Sequence, residues 1–199
     1  MTAIEIQVMK PAEMEEAATV LSHAMLRNPI HVAVYQGESE AVRRQIEERF
    51  MTMLKDRTGE VFLAKQGAQI IGICRSYVCH GGRSISKEVE DLIAANEPEL
   101  SSFQDRDDLW RGLWASRDPA EKHSHLGPIG VLPDFQSLGV GTRLMERYCK
   151  FVDKRNLAAY LEADKLKNVR FYERFGFITV DAIEILGVMN YFMWREVQD

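Results

Sequence analysis

The sequence lacks the features of secreted and membrane-inserted proteins. Only three cysteines occur in 199 residues, and no two of them form a Cys-x-x-Cys pair. An odd number of cysteines provides no disulfide framework. No uninterrupted apolar run approaches the ~20 residues that cross a bilayer, and the first nine residues lack the basic start and long apolar run of a signal peptide. We therefore expect a protein of the reducing cytoplasm.

Positive charge is also scarce. Lysine and arginine number 25 against 30 aspartates and glutamates, which gives a formal net charge of -5 at pH 7. Nothing here attracts nucleic acid or an anionic membrane, so we expect neither as a partner, whereas an amine substrate suits the acidic balance. The 46% hydrophobic fraction and the length suit one globular domain over residues 1–199.

Hydrophobic periodicity predicts a mixed α/β domain. Strands are predicted at 4–8, 61–64, 70–74, from 123 onward, and at 158–164, 178–185 and 188–194. Helices are predicted at 11–25 and 42–54, behind Gly141 and around Asn168. Residues 80–122 separate the third and fourth strands and carry two more helices, near 89–95 and 107–115. The predicted element order is β-α-α-β-β-(α-α)-β-α-β-α-β-β.

The most informative segment is 126–145, which predicts a short strand, a tight turn and the start of an amphipathic helix. The turn reads Gln136-Ser137-Leu138-Gly139-Val140-Gly141. The first N–H groups of a helix lack intrahelical partners and lie at the positive end of its dipole. Because Gly139 and Gly141 have no Cβ, a phosphate can approach the main chain. This segment therefore predicts a pyrophosphate-binding site.

Two common nucleotide-binding motifs do not fit this segment. The dinucleotide motif G-x-G-x-x-G needs a third glycine where the chain has Leu144. The string G-x-x-x-x-G-K-[ST] of P-loop proteins is absent from the chain. A nucleotide-binding oxidoreductase therefore remains only a distant alternative.

A second motif follows at a compatible spacing. A predicted strand at 158–164 precedes Asn168-Val169-Arg170-Phe171-Tyr172-Glu173-Arg174-Phe175-Gly176-Phe177. Together the two motifs resemble the GNAT acetyltransferase superfamily, whose patterns are Q/R-x-x-G-x-G/A and N-x-x-x-Y-E-x-x-G-F. The resemblance covers roughly residues 123 to 180. It implies a central mixed, mostly antiparallel sheet of about seven strands, flanked by helices, with a helical insertion between strands 3 and 4.

The resemblance also implies an activity. We expect acetyl-CoA as co-substrate and direct transfer of its acetyl group to a primary amine of a small molecule, in a chain similar to the puromycin N-acetyltransferase-like enzymes. One alternative is a peptide or protein N-acetyltransferase, which needs an open groove. Another is a non-catalytic acetyl-CoA sensor, because family members often carry basic residues or glycine where this chain has Ser137 and Leu138. Arg143 or Lys167 could replace the missing cations.

Site residues follow from the same resemblance. Tyr172 is expected to be the general acid that protonates the departing thiolate, and the Val131 N–H is expected to polarise the thioester carbonyl. The main chain of 129–131 would pair with the pantetheine arm. The full set of expected cofactor-binding residues is Ile129, Gly130, Val131, Gln136, Ser137, Leu138, Gly139, Val140, Gly141, Thr142 and Asn168.

The general base is less well defined by the sequence. Glu162 lies at the end of a predicted strand that faces the cofactor gap, and a solvated or ion-paired carboxylate is an equal alternative. His123 and His125 share one strand face, where an exposed position is the more common outcome than a substrate-site base. No third ligand is evident beside them, so we expect no metal.

The remaining expectations concern core packing and assembly. Trp110, Trp114 and Cys149 are expected to pack in the core. The last two strands could supply the edge for a homodimer.

Overall fold

The computed structural model describes residues 3–56, 59–95 and 100–198. Over these residues the strands are β1 (Ile4–Val8), β2 (Glu60–Gln66), β3 (Gln69–Cys79), β4 (His123–Val131), β5 (Ala158–Ala163), β6 (Ile178–Ile185) and β7 (Val188–Arg195). The helices are α1 (Met14–Met25), α2 (Pro29–Tyr35), α3 (Glu40–Lys55), α4 (Lys87–Ala94), α5 (Phe103–Ala115), α6 (Val140–Asp153) and α7 (Leu166–Glu173). Among the described residues, no helix is long and apolar enough to cross a membrane.

The seven strands form one sheet in the order β1-β2-β3-β4-β5-β7-β6. Every neighbouring pair is antiparallel except β4 and β5, which are parallel. The predicted fold class, a mixed and mostly antiparallel sheet of seven strands with flanking helices, is therefore confirmed. The helical insertion also lies between the third and fourth strands, as predicted.

The parallel pairing between β4 and β5 is short. β4 and β5 are paired at only three positions, from His123 opposite Ala158 to His125 opposite Tyr160. Beyond them β4 remains paired with β3 as far as Val131, which lies opposite Gly72. A gap therefore opens between the ends of β4 and β5, and the main chain of β4 forms one of its sides.

Helices cover both faces of the sheet. Alternating residues of β2 point to opposite sides, so Phe62 packs with α6 and α7 while Leu63 packs with α1, α2 and α3. Trp110 joins the second of these two cores, with Trp114 packed against it, as predicted. Cys149 is buried in the first core, also as predicted.

One helix was missed by the sequence analysis. The Asn28-Pro29 pair was interpreted only as a break, but it begins α2. The Asn28 side chain accepts hydrogen bonds from the N–H groups of Ile30 and His31. Proline at the first helical position gives up an N–H that has no helical partner there. The same two residues therefore end one helix and start the next.

Arg195 joins the last strand to α6 through a bidentate ion pair. Its Nη1 and Nη2 donate to Oδ1 and Oδ2 of Asp153 at 2.6 and 3.1 Å, and its Nε donates to the Phe175 carbonyl at 2.8 Å. The Arg195 side chain is 6% exposed. Such paired, charge-assisted hydrogen bonds are among the strongest in proteins.

We predict that Arg195→Met lowers the free energy of unfolding by about 1–3 kcal/mol, because Asp153 loses its partner and the Phe175 carbonyl loses a donor. Urea unfolding would measure the change. Lys87→Met is the control, since the Lys87 ion pairs are solvent-exposed and their loss should leave the midpoint unchanged. Equal midpoints for Arg195→Met and the original chain would contradict this role.

Candidate active site

A groove of ≈ 740 Å³ lies at the gap between β4 and β5. Most of the predicted cofactor-binding residues line it, together with the predicted acid: Ile129, Gly130, Val131, Gln136, Ser137, Gly139, Gly141, Thr142, Asn168 and Tyr172. Two of the predicted cofactor-binding residues, Val140 and Leu138, do not line the groove. Val140 is buried beneath the loop against Gly72, and Leu138 is 64% exposed on the outer surface. A smaller cavity of ≈ 440 Å³, between α1 and α3, contains none of the motif residues.

The predicted phosphate loop has the backbone shape that the sequence indicated. Ser137 and Gly139 both have positive φ, 62° and 81°, and α6 begins directly after Gly139. Glycine adopts this left-handed conformation without strain, which explains its presence at position 139. No side chain caps the helix start. The first N–H groups of α6 are therefore oriented to receive an anion at the groove wall.

The end of β4 offers main-chain groups to the same groove. The Leu132 N–H donates to the Ile71 carbonyl of β3 at 3.0 Å. Because consecutive N–H groups of a strand point to opposite sides, the Val131 N–H points away from β3 and toward the gap. The Val131 carbonyl accepts a hydrogen bond from Gln136 Nε2 at 3.1 Å. Val131 is therefore the strand residue best placed to contact a ligand in the groove.

Close packing of α1 fixes this end of β4. A Cβ on Gly130 would lie 2.9 Å from the Cβ of Ala24 and 3.2 Å from Leu21 Cδ2. Only glycine at position 130 allows α1 to lie this near the strand. Ala24 and Met25 of the same helix also line the groove.

Four basic residues supply positive charge to the groove: Lys165, Lys167, Arg170 and Arg174. The sequence analysis named Lys167 and missed the other three, although Arg170 of α7 and Arg174, which caps its C-terminus, are four residues apart and share one face. Arg143, the other suggested substitute, does not line the groove. The cations that the loop lacks at positions 137 and 138 thus come from the helix on the other side.

Tyr172 combines packing with access to the groove. Its side chain contacts the rings of Phe171 and Phe177, and the residue is 6% exposed. Burial raises the pKa of the Tyr172 phenol, so the hydroxyl keeps its proton at neutral pH. The structure therefore places a protonated phenol at the groove wall.

Glu162 is a buried, ion-paired carboxylate. Its side chain is 2% exposed, Oε1 accepts from Arg83 Nη2 at 2.9 Å, and Oε2 lies 2.8 Å from His125 Nε2. Arg83 also donates through Nε to Asp118 at 3.0 Å. Both Arg83 and Asp118 belong to the insertion, and no local pattern in the sequence pointed to either residue.

The expectation of exposed histidines on β4 is wrong. His123 and His125 are 0% and 4% exposed, because the insertion covers β4 where it lies between β3 and β5. The rings of Tyr77 and Tyr160 pack against His125. Burial alone would lower the pKa of His125, but the carboxylates of Glu162 and Asp118 outweigh that effect and hold it above its usual range.

The charge of Asp118 is stabilised in the same way. Burial alone would raise the pKa of this carboxyl, but the two imidazoles and the Arg83 guanidinium hold it well below its usual range. His125 and Asp118 thus stabilise each other's charged forms. The residues beside β5 form one connected polar network under the insertion.

Comparison with known proteins identifies the fold. Arylalkylamine N-acetyltransferase 2 from Aedes aegypti aligns with a TM-score of 0.74 at 15% identity, over 98% of this chain and 99% of that one. A GNAT acetyltransferase from Brucella melitensis in complex with acetyl-CoA gives 0.58 at 16% identity, over 100% and 91%. The ribosomal-protein-S18-alanine N-acetyltransferase from Escherichia coli gives 0.60 at 14% identity, over 99% and 96%.

The sequence itself matches a family model. The match is to the acetyltransferase (GNAT) family and extends over residues 25–177, which is more than half of the chain. It includes both motifs, the split between β4 and β5, and the groove. The chain therefore belongs to the GNAT family of acetyltransferases.

Proposed function

We propose that this acetyltransferase transfers the acetyl group of acetyl-CoA to a primary amine of a small molecule. The observation that carries the proposal is that one groove contains the phosphate loop, the unpaired end of β4 and the Tyr172 phenol. Each of these features suits a different part of the co-substrate. The loop suits a pyrophosphate, the strand suits the amide-containing pantetheine arm, and the phenol suits the leaving sulfur.

Cofactor binding would use both sides of the groove. The N–H groups at the start of α6 receive the pyrophosphate, and Arg170 and Arg174 provide charge from α7. The main chain of residues 129–131 pairs with the pantetheine amides as an added strand would. Asn168, which also lines the groove, supplies a further polar contact.

The chemistry needs no covalent enzyme intermediate. The neutral amine nitrogen forms the new C–N bond to the thioester carbon, and the Val131 N–H stabilises the oxyanion. The C–S bond then breaks, and the Tyr172 hydroxyl gives its proton to the departing thiolate. Glu162, which is buried beside the groove, accepts through a water molecule the proton that the amine nitrogen loses. His125 and Arg83 hold the Glu162 carboxylate in place.

The insertion favours a small acceptor over a polypeptide. Trp114 Nε1 donates to Asn190 Oδ1 at 3.0 Å, and the Tyr160 hydroxyl donates to the Arg117 carbonyl at 3.2 Å. These bonds hold the insertion against β5 and β7, beside the gap. Among structures of this fold, the mosquito protein is an arylalkylamine enzyme, while the Escherichia coli protein acts on a ribosomal protein. A peptide N-terminus is therefore the second candidate acceptor.

An acceptor screen tests the proposal. The protein would be incubated with acetyl-CoA and a panel of arylalkylamines, polyamines and short peptides, with thiol release and product mass as readouts. We expect turnover with small primary amines and little with peptides. Preferential turnover of peptides would transfer the assignment to N-terminal acetylation, and saturable acetyl-CoA binding without turnover of any acceptor would indicate a sensor.

A homodimer through the exposed β6 edge stays a prediction, measurable by light scattering.

We predict that Tyr172→Phe lowers kcat by about 100-fold, because the thiolate then leaves without a proton donor, while the Kd for acetyl-CoA changes little. Steady-state kinetics and calorimetry would measure the two quantities. Tyr148→Phe is the matched control, since the Tyr148 hydroxyl bonds Ser124 in the core and its loss affects stability alone. Full turnover in Tyr172→Phe would remove the acid assignment.

We predict that Glu162→Gln lowers kcat/KM for the amine by at least about 10-fold, because the amide cannot accept the amine proton. Binding of acetyl-CoA should be unchanged, since Glu162 does not line the groove. Glu146→Gln on the exposed face of α6 is the control and should behave as the original chain does. If Glu162→Gln turned over normally, a water relay would replace Glu162 as the base.

A further inference from the structure

Four potential metal ligands meet beneath the insertion, and we call them the Cys-Asp-His-His cluster: Cys79, Asp118, His123 and His125. One ligand atom from each residue lies within 4.8 Å of those of the other three. Cys79 and His123 are paired neighbours on β3 and β4, and His125 follows two residues later on the same face. Asp118 reaches the cluster from the insertion. All four residues are buried.

Two atoms of the cluster are buried without a hydrogen-bond partner in the described part of the chain. They are Nε2 of His123, whose ring is fully buried, and Oδ2 of Asp118, whose side chain is 0% exposed. His123 Nε2 lies 3.8 Å from Asp118 Oδ1, which is too long for a hydrogen bond. Buried polar atoms without partners are costly and rare. Both atoms belong to the same cluster, so one bound cation would satisfy both.

The opposite ring nitrogens of the two histidines are already anchored. His123 Nδ1 lies 2.8 Å from the Glu121 carbonyl, and His125 Nε2 lies 2.8 Å from Glu162 Oε2. Metal-binding histidines in proteins characteristically donate their other ring N–H to a carbonyl or carboxylate. This leaves His123 Nε2, which has no hydrogen-bond partner among the described residues, and His125 Nδ1, which lies 3.3 Å from Asp118 Oδ1 and would give up its proton on binding a cation. Both face Asp118.

We propose that the Cys-Asp-His-His cluster binds one Zn²⁺ as a closed, four-coordinate site. A ligand set of one thiolate, two imidazoles and one carboxylate suits tetrahedral zinc. Adjacent ligand atoms around tetrahedral zinc lie about 3.3–3.8 Å apart, so ligand movements of about 1 Å would close the cluster. The thiolate and the carboxylate balance the two positive charges of the ion.

The bound zinc would hold the His125 ring and the insertion in position and would take no part in the acetyl transfer itself. A metal on His125 Nδ1 fixes the ring proton on Nε2, where it points at Glu162. Coordination by Asp118 would also join the insertion to β3 and β4. The sequence analysis expected no metal because no third ligand was evident beside the histidines, whereas the fold brings Cys79 of β3 and Asp118 of the insertion to them. The metal site does not depend on the proposed acceptor.

Cobalt substitution tests this proposal on the full chain. After dialysis against a chelator, titration with Co²⁺ should give one bound equivalent, intense visible bands of a tetrahedral ion and a near-ultraviolet thiolate-to-cobalt charge-transfer band. Zn²⁺ should displace the Co²⁺. Cys79→Ser should lose the charge-transfer band, while Cys149→Ser, which alters another buried cysteine outside the cluster, should keep it.

A second variant keeps the zinc site testable even if Cys79→Ser does not fold. His123→Gln should weaken Zn²⁺ binding by at least about 10-fold in a competition titration, and His31→Gln, at another buried histidine, should not. The melting temperature of the original chain should rise with Zn²⁺ and fall again with chelator. Binding of less than one equivalent at micromolar Co²⁺, or a charge-transfer band that survives in Cys79→Ser, would overturn the site. Acetyl-CoA binding measured in parallel distinguishes this failure from failure of the proposed activity.

Discussion

The early separation of β4 from β5 is the constraint on which the rest of the structure depends. A paired strand has no main-chain groups to offer a ligand, whereas β4 leaves its parallel partner after three residues and remains bonded only to β3. Its far N–H and C=O groups then face a gap. Unpaired main-chain groups at the middle of a sheet are unfavourable unless water or a ligand pairs with them. The gap is therefore both a weak point of the sheet and the place where an extended ligand can bind.

The surrounding charges make this gap selective for an anion at one end. The chain has a formal net charge of -5, yet four basic residues between positions 165 and 174, on α7 and at its two ends, line the groove. Local placement therefore matters more than net charge. In the network beside β5 the charges are matched instead, since the carboxylates of Glu162 and Asp118 pair with the Arg83 guanidinium and the His125 imidazole.

Sequence analysis succeeded where the chemistry is local. The turn at Ser137 and Gly139, the helix behind it and the tyrosine of α7 lie within continuous motifs, so the resemblance of those motifs to the GNAT family was enough to predict that they share one site. It failed where distant segments meet. Arg83, from the insertion, contacts Glu162, which lies 79 residues further along the chain, and no motif links Asp118 to His125, although only seven residues separate them. The burial of both β4 histidines has the same origin, because aromatic side chains of β3, β5 and β7 cover them together with the insertion.

The central claim is that the groove beside β4 binds acetyl-CoA, and the melting temperature of the protein with acetyl-CoA, CoA, NAD and ATP tests it most directly. A ligand at 100 times its Kd stabilises the folded state by about 2.7 kcal/mol, which corresponds to a shift of several degrees. Acetyl-CoA and CoA should give such a rise, and NAD and ATP a much smaller one. An unchanged melting temperature at millimolar acetyl-CoA, or an equal rise with NAD, would contradict it.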